Sequence, residues 1–263
     1  MAEIRNATHE TVAAECDHCG VECIFSRRDD LQTIMPIAGQ NVVCTACGES
    51  FWVSGDIVEE SWRFILDDAK ADKRAKRYGP AIARACQGWE LFMYACAESI
   101  FIFRPFFSDR SCEHDIDALN ELSRQLRAET KGFTFGPLRN LMANVIALRV
   151  APTTLSEAAS AIAAISSLRF RYPPPDDVVA GIRDTELLDL IAGLNELTVG
   201  ALRNDVIHKT GYRPSADEVA RCLGDEIGFL YRLKHHLGIG DFYEFQAGLV
   251  PDANYVRSQE PQN

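Results

Sequence analysis

The sequence predicts a mainly α protein, a helical bundle preceded by a small β ribbon, and three observations carry that prediction. Residues 16–20 read CDHCG and residues 44–48 read CTACG, two Cys-x-x-Cys-Gly units flanked by short β-prone runs. From about residue 60 the apolar residues recur at steps of three and four, the spacing of one buried helical face. Proline and glycine clusters such as YPPPDD at 172–177 cut that region into segments. The chain divides accordingly into a ribbon at 1–58, a basic helical connector at 59–78, a helical domain at 79–245 and a flexible polar tail at 246–263.

In the ribbon, each Cys-x-x-Cys pair can turn as a tight knuckle that aims two thiolates at one ion. The glycine after it lets the backbone curl beneath them. Two knuckles supply Cys16, Cys19, Cys44 and Cys47, the tetrahedral donor set of a structural Zn2+ site with no coordination position left for catalysis. VECIF at 21–25 and SFWV at 50–53 read as short strands, with Phe25, Phe51 and Trp52 as a small core. Burial alone is little for so short a segment, so zinc would supply much of its folding free energy, about 10–16 kcal/mol in zinc-finger peptides near neutral pH. His18 and Cys23 stand as competing ligands, although the symmetric knuckles fit better. A redox dithiol is the other use of either pair, and the duplication of the motif argues against it.

The helices follow in order. EESWRFILDDAKADKRAKRYG at 59–79 reads as an amphipathic connector. A helix opens near Pro80, carries Ile82, Cys86, Trp89, Met93, Cys96 and Ile100 on one face, and is expected to stop at Pro105. Glu90, Tyr94 and Glu98 line another of its faces at i, i+4 and i+8, which reads as a solvated face or an interface. The next helix turns Ile116, Leu119, Leu122 and Leu126 inward, and a third opens at Gly136-Pro137 and runs through Leu138, Leu141, Met142 and Val145. Thr154 and Glu157 form a capping box ahead of LSEAASAIAAISSL. One long helix is expected from about 184 to 208, on Leu187, Leu190, Leu194, Leu197 and Ala201; the next steps of that rhythm are Asn204 and His208. The last helix, capped by Ser215 and Glu218, buries Val219, Leu223, Ile227, Leu230 and Leu237. Cys86, Cys96 and Cys222 fall at or beside apolar positions and read as core.

Charge and hydropathy narrow the function. A net charge of −11 over 263 residues argues against a general nucleic-acid coat protein. Local basic sites remain in KADKRAKR at 70–77 and in Arg221, Arg232, Lys234, His235 and His236. SIFIF at 99–103, the longest apolar stretch, is far too short for a membrane span, and the N-terminus lacks an apolar signal region. A cytoplasmic protein with no membrane partner is the expectation. The sequence holds no phosphate loop, His-Glu-x-x-His, Gly-x-Ser-x-Gly or dinucleotide fingerprint.

What stands out is Arg203-Asn204-x-x-x-His208 at the end of the expected long helix, followed by the turn KTGYRP at 209–214 and a capped final helix. A leucine seam that turns polar must find partners for those groups. This arrangement resembles the HEPN superfamily (higher eukaryotes and prokaryotes nucleotide-binding domains). Its signature is an arginine, four to six residues and a histidine, often with a polar residue directly after the arginine. FTFGPLRNLM at 133–142 is a weaker echo, and the likeness spans roughly 80–240.

The resemblance implies an HEPN-like helical domain that is a metal-independent RNA endonuclease. It would act as a homodimer whose two motifs line one cleft, as a toxin or defence effector does. His208 would move a proton to or from the RNA 2′-hydroxyl or the leaving oxygen, and Arg203 would stabilise charge on phosphorus. Asn204 would orient the imidazole or bind the substrate. Lys209, Tyr212 and Arg213 are the candidate contacts to the RNA backbone, and a regulatory protein or antitoxin is a further implied partner. Attack by the 2′-hydroxyl leaves a 2′,3′-cyclic phosphate and spares DNA. On an ideal helix Arg203 and His208 lie roughly 140° apart, so arginine's reach, a distortion or a second subunit must unite them. Two rival readings stand beside this one. The first is a non-catalytic module, in which the zinc ribbon and a helical dimerisation domain recognise a protein or nucleic acid. The second is a zinc-dependent regulator that grips DNA through the ribbon.

Overall fold

A computed structural model of the chain describes residues 10–26, 41–53, 57–108, 116–167 and 169–237. The tail expected at 246–263 lies outside these residues. The described structure is mainly helical, with two small antiparallel sheets at its start. Strand β1 (Glu10–Glu15) lies between β2 (Glu22–Ser26) and β5 (Ile57–Glu60), while β3 (Asn41–Val43) pairs with β4 (Ser50–Trp52). Ala14 faces Cys23 across one ladder and Val42 faces Phe51 across the other. Ala14, Phe25, Phe51, Val53 and three cysteines form a small core separate from that of the bundle, and Trp52, expected in it, is half-buried and not part of it.

Helix α1 (Ser61–Arg74) follows β5 directly and is more than a connector. Trp62, Ile65, Leu66 and Ala69 are buried in the main core, against α2 (Tyr78–Glu98). Gly88 permits the approach, because a Cβ there would lie 2.6 Å from Leu66 Cδ2. The basic stretch at 70–77 is partly consumed by this join. Asp72 is buried and paired with Arg77 at 2.5 Å and Arg84 at 2.6 Å, and Lys70 pairs with Asp67 at 2.8 Å.

Helix α2 buries Ile82, Cys86, Trp89, Met93 and Cys96 as the spacing predicts. It does not stop at Pro105. A π-helical turn (Ser99–Phe103) carries it into α3 (Arg104–Ser108), which includes Pro105. Tyr94 and Glu98 are buried and Glu90 is half-buried, so the face they share is not a solvated one. Helices α4 (Ile116–Glu129), α5 (Phe135–Ala147) and α6 (Leu155–Ser167) follow, with Leu119, Leu122, Leu126, Leu138, Leu141, Met142 and Val145 inward. Glu157 N–H bonds Thr154 Oγ1, but the Glu157 carboxylate reaches Thr153 rather than closing the box on Thr154.

A short α7 (Asp176–Gly181) precedes α8 (Thr185–Glu196) and α9 (Val199–His208), and here the single helix expected over 184–208 is broken. Asp184 caps α8 by accepting from Glu186 N–H at 3.0 Å. The start of α9 is capped from a distance. The buried Glu226 carboxylate accepts Thr198 N–H at 2.9 Å, the Thr198 hydroxyl at 2.6 Å and Val199 N–H at 3.3 Å. The break resets the helical phase. Leu187, Leu190, Leu194 and Leu197 are buried, but Ala201, Asn204 and His208 are exposed, and α9 buries Val199 and Gly200 instead. The buried seam therefore ends at Leu197 and does not run on into Asn204 and His208.

The last expected helix is also two, α10 (Ala216–Leu223) and α11 (Asp225–His236), divided at Gly224. Ser215 and Glu218 form the predicted capping box, with Ser215 N–H on Glu218 Oε2 at 2.6 Å and Glu218 N–H on Ser215 Oγ at 3.2 Å. Val219, Ile227 and Leu230 are buried as expected, joined by Cys222, Phe229 and Leu233, while Leu223 and Leu237 are only half-buried. No helix among the described residues is long and apolar enough to cross a membrane.

Candidate functional site

The two Cys-x-x-Cys-Gly units fold into the same knuckle. In the first, Gly20 N–H bonds Cys16 O at 2.8 Å and Cys16 N–H bonds Val21 O at 3.0 Å. In the second, Gly48 N–H bonds Cys44 O at 3.0 Å and Cys44 N–H bonds Glu49 O at 2.9 Å. Gly20 and Gly48 both have positive φ, 66° and 79°, so each unit ends in the residue its backbone requires. The repeated turn brings the Sγ atoms of Cys16, Cys19, Cys44 and Cys47 within 4.8 Å of one another. Cys16 and Cys47 are 3.9 Å apart and Cys19 and Cys44 3.7 Å apart. Four thiolates bound tetrahedrally at about 2.3 Å lie ~3.8 Å from each other, so the cluster fits one ion.

The described cysteines are free thiols. Backbone N–H of Cys47, working against burial, and of Ala46, both 3.3 Å from Cys44 Sγ, hold that thiol down at about 5. His18 is committed elsewhere: its Nε2 lies 3.0 Å from Ser50 O and ties the first knuckle to β4. Cys86 and Cys222, by contrast, sit in the bundle core, where burial pushes both thiols up to about 12.

The second cluster is the end of α9. This helix crosses the start of α2, where Gly79 would place a Cβ 3.6 Å from Val206 Cγ1. Gly200 lies under Phe135, whose Cδ1 would be 2.4 Å from a Cβ at that position. Phe135 is itself fixed, since its N–H donates to Glu90 Oε1 at 2.7 Å. Burial pushes the Glu90 carboxyl above its usual range, against the opposing pull of the Phe135 N–H and of the Arg203 guanidinium. Arg203 is half-buried within electrostatic reach of Glu90 on α2, and its Nη1 donates to Asn204 Oδ1 at 3.2 Å.

His208 is the exposed last residue of α9, and no hydrogen bond joins it to Arg203 among the described residues. Beyond it, Lys209 pairs with Asp205 at 2.7 Å and Tyr212 N–H closes the turn on Lys209 O at 3.1 Å. The Tyr212 hydroxyl donates to Glu218 Oε1 at 2.8 Å, and Arg213 Nη1 donates to Tyr212 O at 2.9 Å. The fold therefore joins Arg203 to Asn204 and ties the 209–213 turn to α10.

Glu90 and Glu226 are the residues whose part the spacing did not reveal. Both carried a signal. Glu90 and Glu98 are the only charged residues between 85 and 103, and Glu226 takes the helical step four residues from both Cys222 and Leu230. No family model matches the chain, and neither a curated protein nor a solved structure matches it.

Proposed function

We propose that the chain is a metal-independent RNA endonuclease of HEPN type that acts as a homodimer and carries a structural Zn2+ ribbon. The observation that supports this most is the end of α9. Asn204 and His208 are exposed there one turn apart, and the half-buried Arg203 donates to Asn204. An exposed imidazole is available to take the 2′-hydroxyl proton and to return one to the leaving oxygen. A guanidinium turned toward the same cleft from a second subunit would meet the charge that develops on phosphorus. Lys209 and Arg213, both exposed, flank that surface as contacts to the RNA backbone. A cytoplasmic toxin or defence effector held in check by an antitoxin-like protein is the setting the reading implies. In the ribbon, Zn2+ held by Cys16, Cys19, Cys44 and Cys47 would supply folding free energy and no reactive position.

A second reading, a non-catalytic dimerisation and recognition module, is favoured by the engagement of the Arg203 guanidinium with Asn204 rather than His208. Paired variants separate the two. His208→Ala and Arg203→Ala should each abolish RNA cleavage while leaving fold and dimer intact. Mixed heterodimers of the two should regain activity, because one of the two His208–Arg203 pairings across the shared cleft keeps both groups. Wild type and both variants all failing to cut, with dimers intact, would favour the module.

A further inference from the structure

The ribbon holds a fifth thiol that the four-cysteine site does not explain. Cys23 lies in β2, is fully buried, and faces Ala14 across the ladder. Its Sγ is 3.5 Å from Cys44 Sγ and donates to it, whereas the other acceptor in reach, Val21 O, is 3.7 Å away. It is not one of the four sulfurs that gather within 4.8 Å of one another, so it stands outside the coordination tetrahedron and touches one corner.

That corner is a demanding one. Four thiolates around a divalent ion leave a net charge of −2, which must be stabilised by water or by protein donors. Cys19 and Cys47 are exposed and water can reach them; Cys16 and Cys44 are 1 % and 2 % exposed and depend on the protein, and it is Cys44 that Cys23 reaches. The N–H groups of Ala46 and Cys47 approach it along its own knuckle, and Cys23 approaches from β2, across the sheet. Cys23 is therefore the only one of the three donors that links the second knuckle to the strands of the first.

We propose that Cys23 is a positioning residue for the metal centre, an outer-sphere S–H donor to the metal-bound Cys44 thiolate that locks the two knuckles together and strengthens metal retention. Donors of this kind typically change metal affinity by about 10–100-fold. The inference rests on the four-thiolate metal reading and not on the ribonuclease reading.

The test uses the full chain, with Zn2+ competed against a chelator and Co2+ as the spectroscopic probe. Cys23→Ala should weaken metal binding by about 10–100-fold and shift the cobalt–thiolate charge-transfer band without lowering its intensity. Cys23→Ser, which keeps a donor, should recover much of the affinity. Unchanged affinity and spectrum in Cys23→Ala would overturn the proposal, as would a Cys23→Ser protein no better than Cys23→Ala, which is what a pure packing role gives. A band reduced by one thiolate would make Cys23 a ligand and overturn the outer-sphere role. Wild-type protein that binds neither ion would remove the metal reading and the proposal with it.

Discussion

Glu226 lies in α11 yet does its work on α9, where its carboxylate accepts two backbone N–H groups and the Thr198 hydroxyl. Removing it leaves the buried Val199 N–H and the half-buried Thr198 donors without that carboxylate. Glu226→Ala is expected to lower stability by about 2–3 kcal/mol in urea unfolding, and Glu226→Gln by less, since an amide oxygen still accepts. Glu90 offers a different measurement because it titrates. Its folded-state value is raised, so the protonated carboxyl is favoured by folding; that contribution is present below the ordinary carboxylate range and is lost as pH rises through the raised value. Glu90→Gln should remove this pH dependence, so wild type should lose stability relative to the variant as pH climbs from about 4. A stability difference flat across that range would contradict the burial assigned to Glu90. Both acids could be seen in the sequence as charges at apolar helical steps, but their partners, Phe135 for one and Thr198 for the other, lie 28 or more residues away.

Elements were legible where their determinants are local. The two knuckles, the Ser215–Glu218 box and the turn at Gly211 each depend on residues within about five positions of one another, and each forms as its spacing predicts. The helix breaks were not legible, since a leucine rhythm continues straight across Leu197–Thr198 and only the distant Glu226 makes the interruption stable. That one break decides the site, because it turns Asn204 and His208 from an expected buried seam to solvent. It also places Gly200 against Phe135, the first residue of α5. Gly200→Ala would improve helix propensity by about 1 kcal/mol, yet the added Cβ meets a ring whose own backbone is tied to Glu90. Overpacking should win, with a net loss of about 1–2 kcal/mol in thermal or urea unfolding. A stabilised variant would mean that α9 does not sit so close.

At the scale of the molecule, the ribbon and the bundle have separate apolar cores, and only the ribbon's includes the cysteine cluster. A strong chelator should therefore unfold the ribbon and release its thiols to a colorimetric reagent, while the helical circular dichroism and the melting of the bundle persist. If the motif in α9 is the reactive centre, the same chelator should leave RNA cleavage intact in a protein whose bundle is whole. The most direct measurement joins these points: incubate the purified full chain with structured and single-stranded RNAs in EDTA and determine the chemistry of the cut ends. Fragments ending in 2′,3′-cyclic phosphate, formed by wild type and absent with His208→Ala, are the predicted result. Intact RNA with a well-folded dimeric wild type, or cutting that survives in His208→Ala, would contradict it.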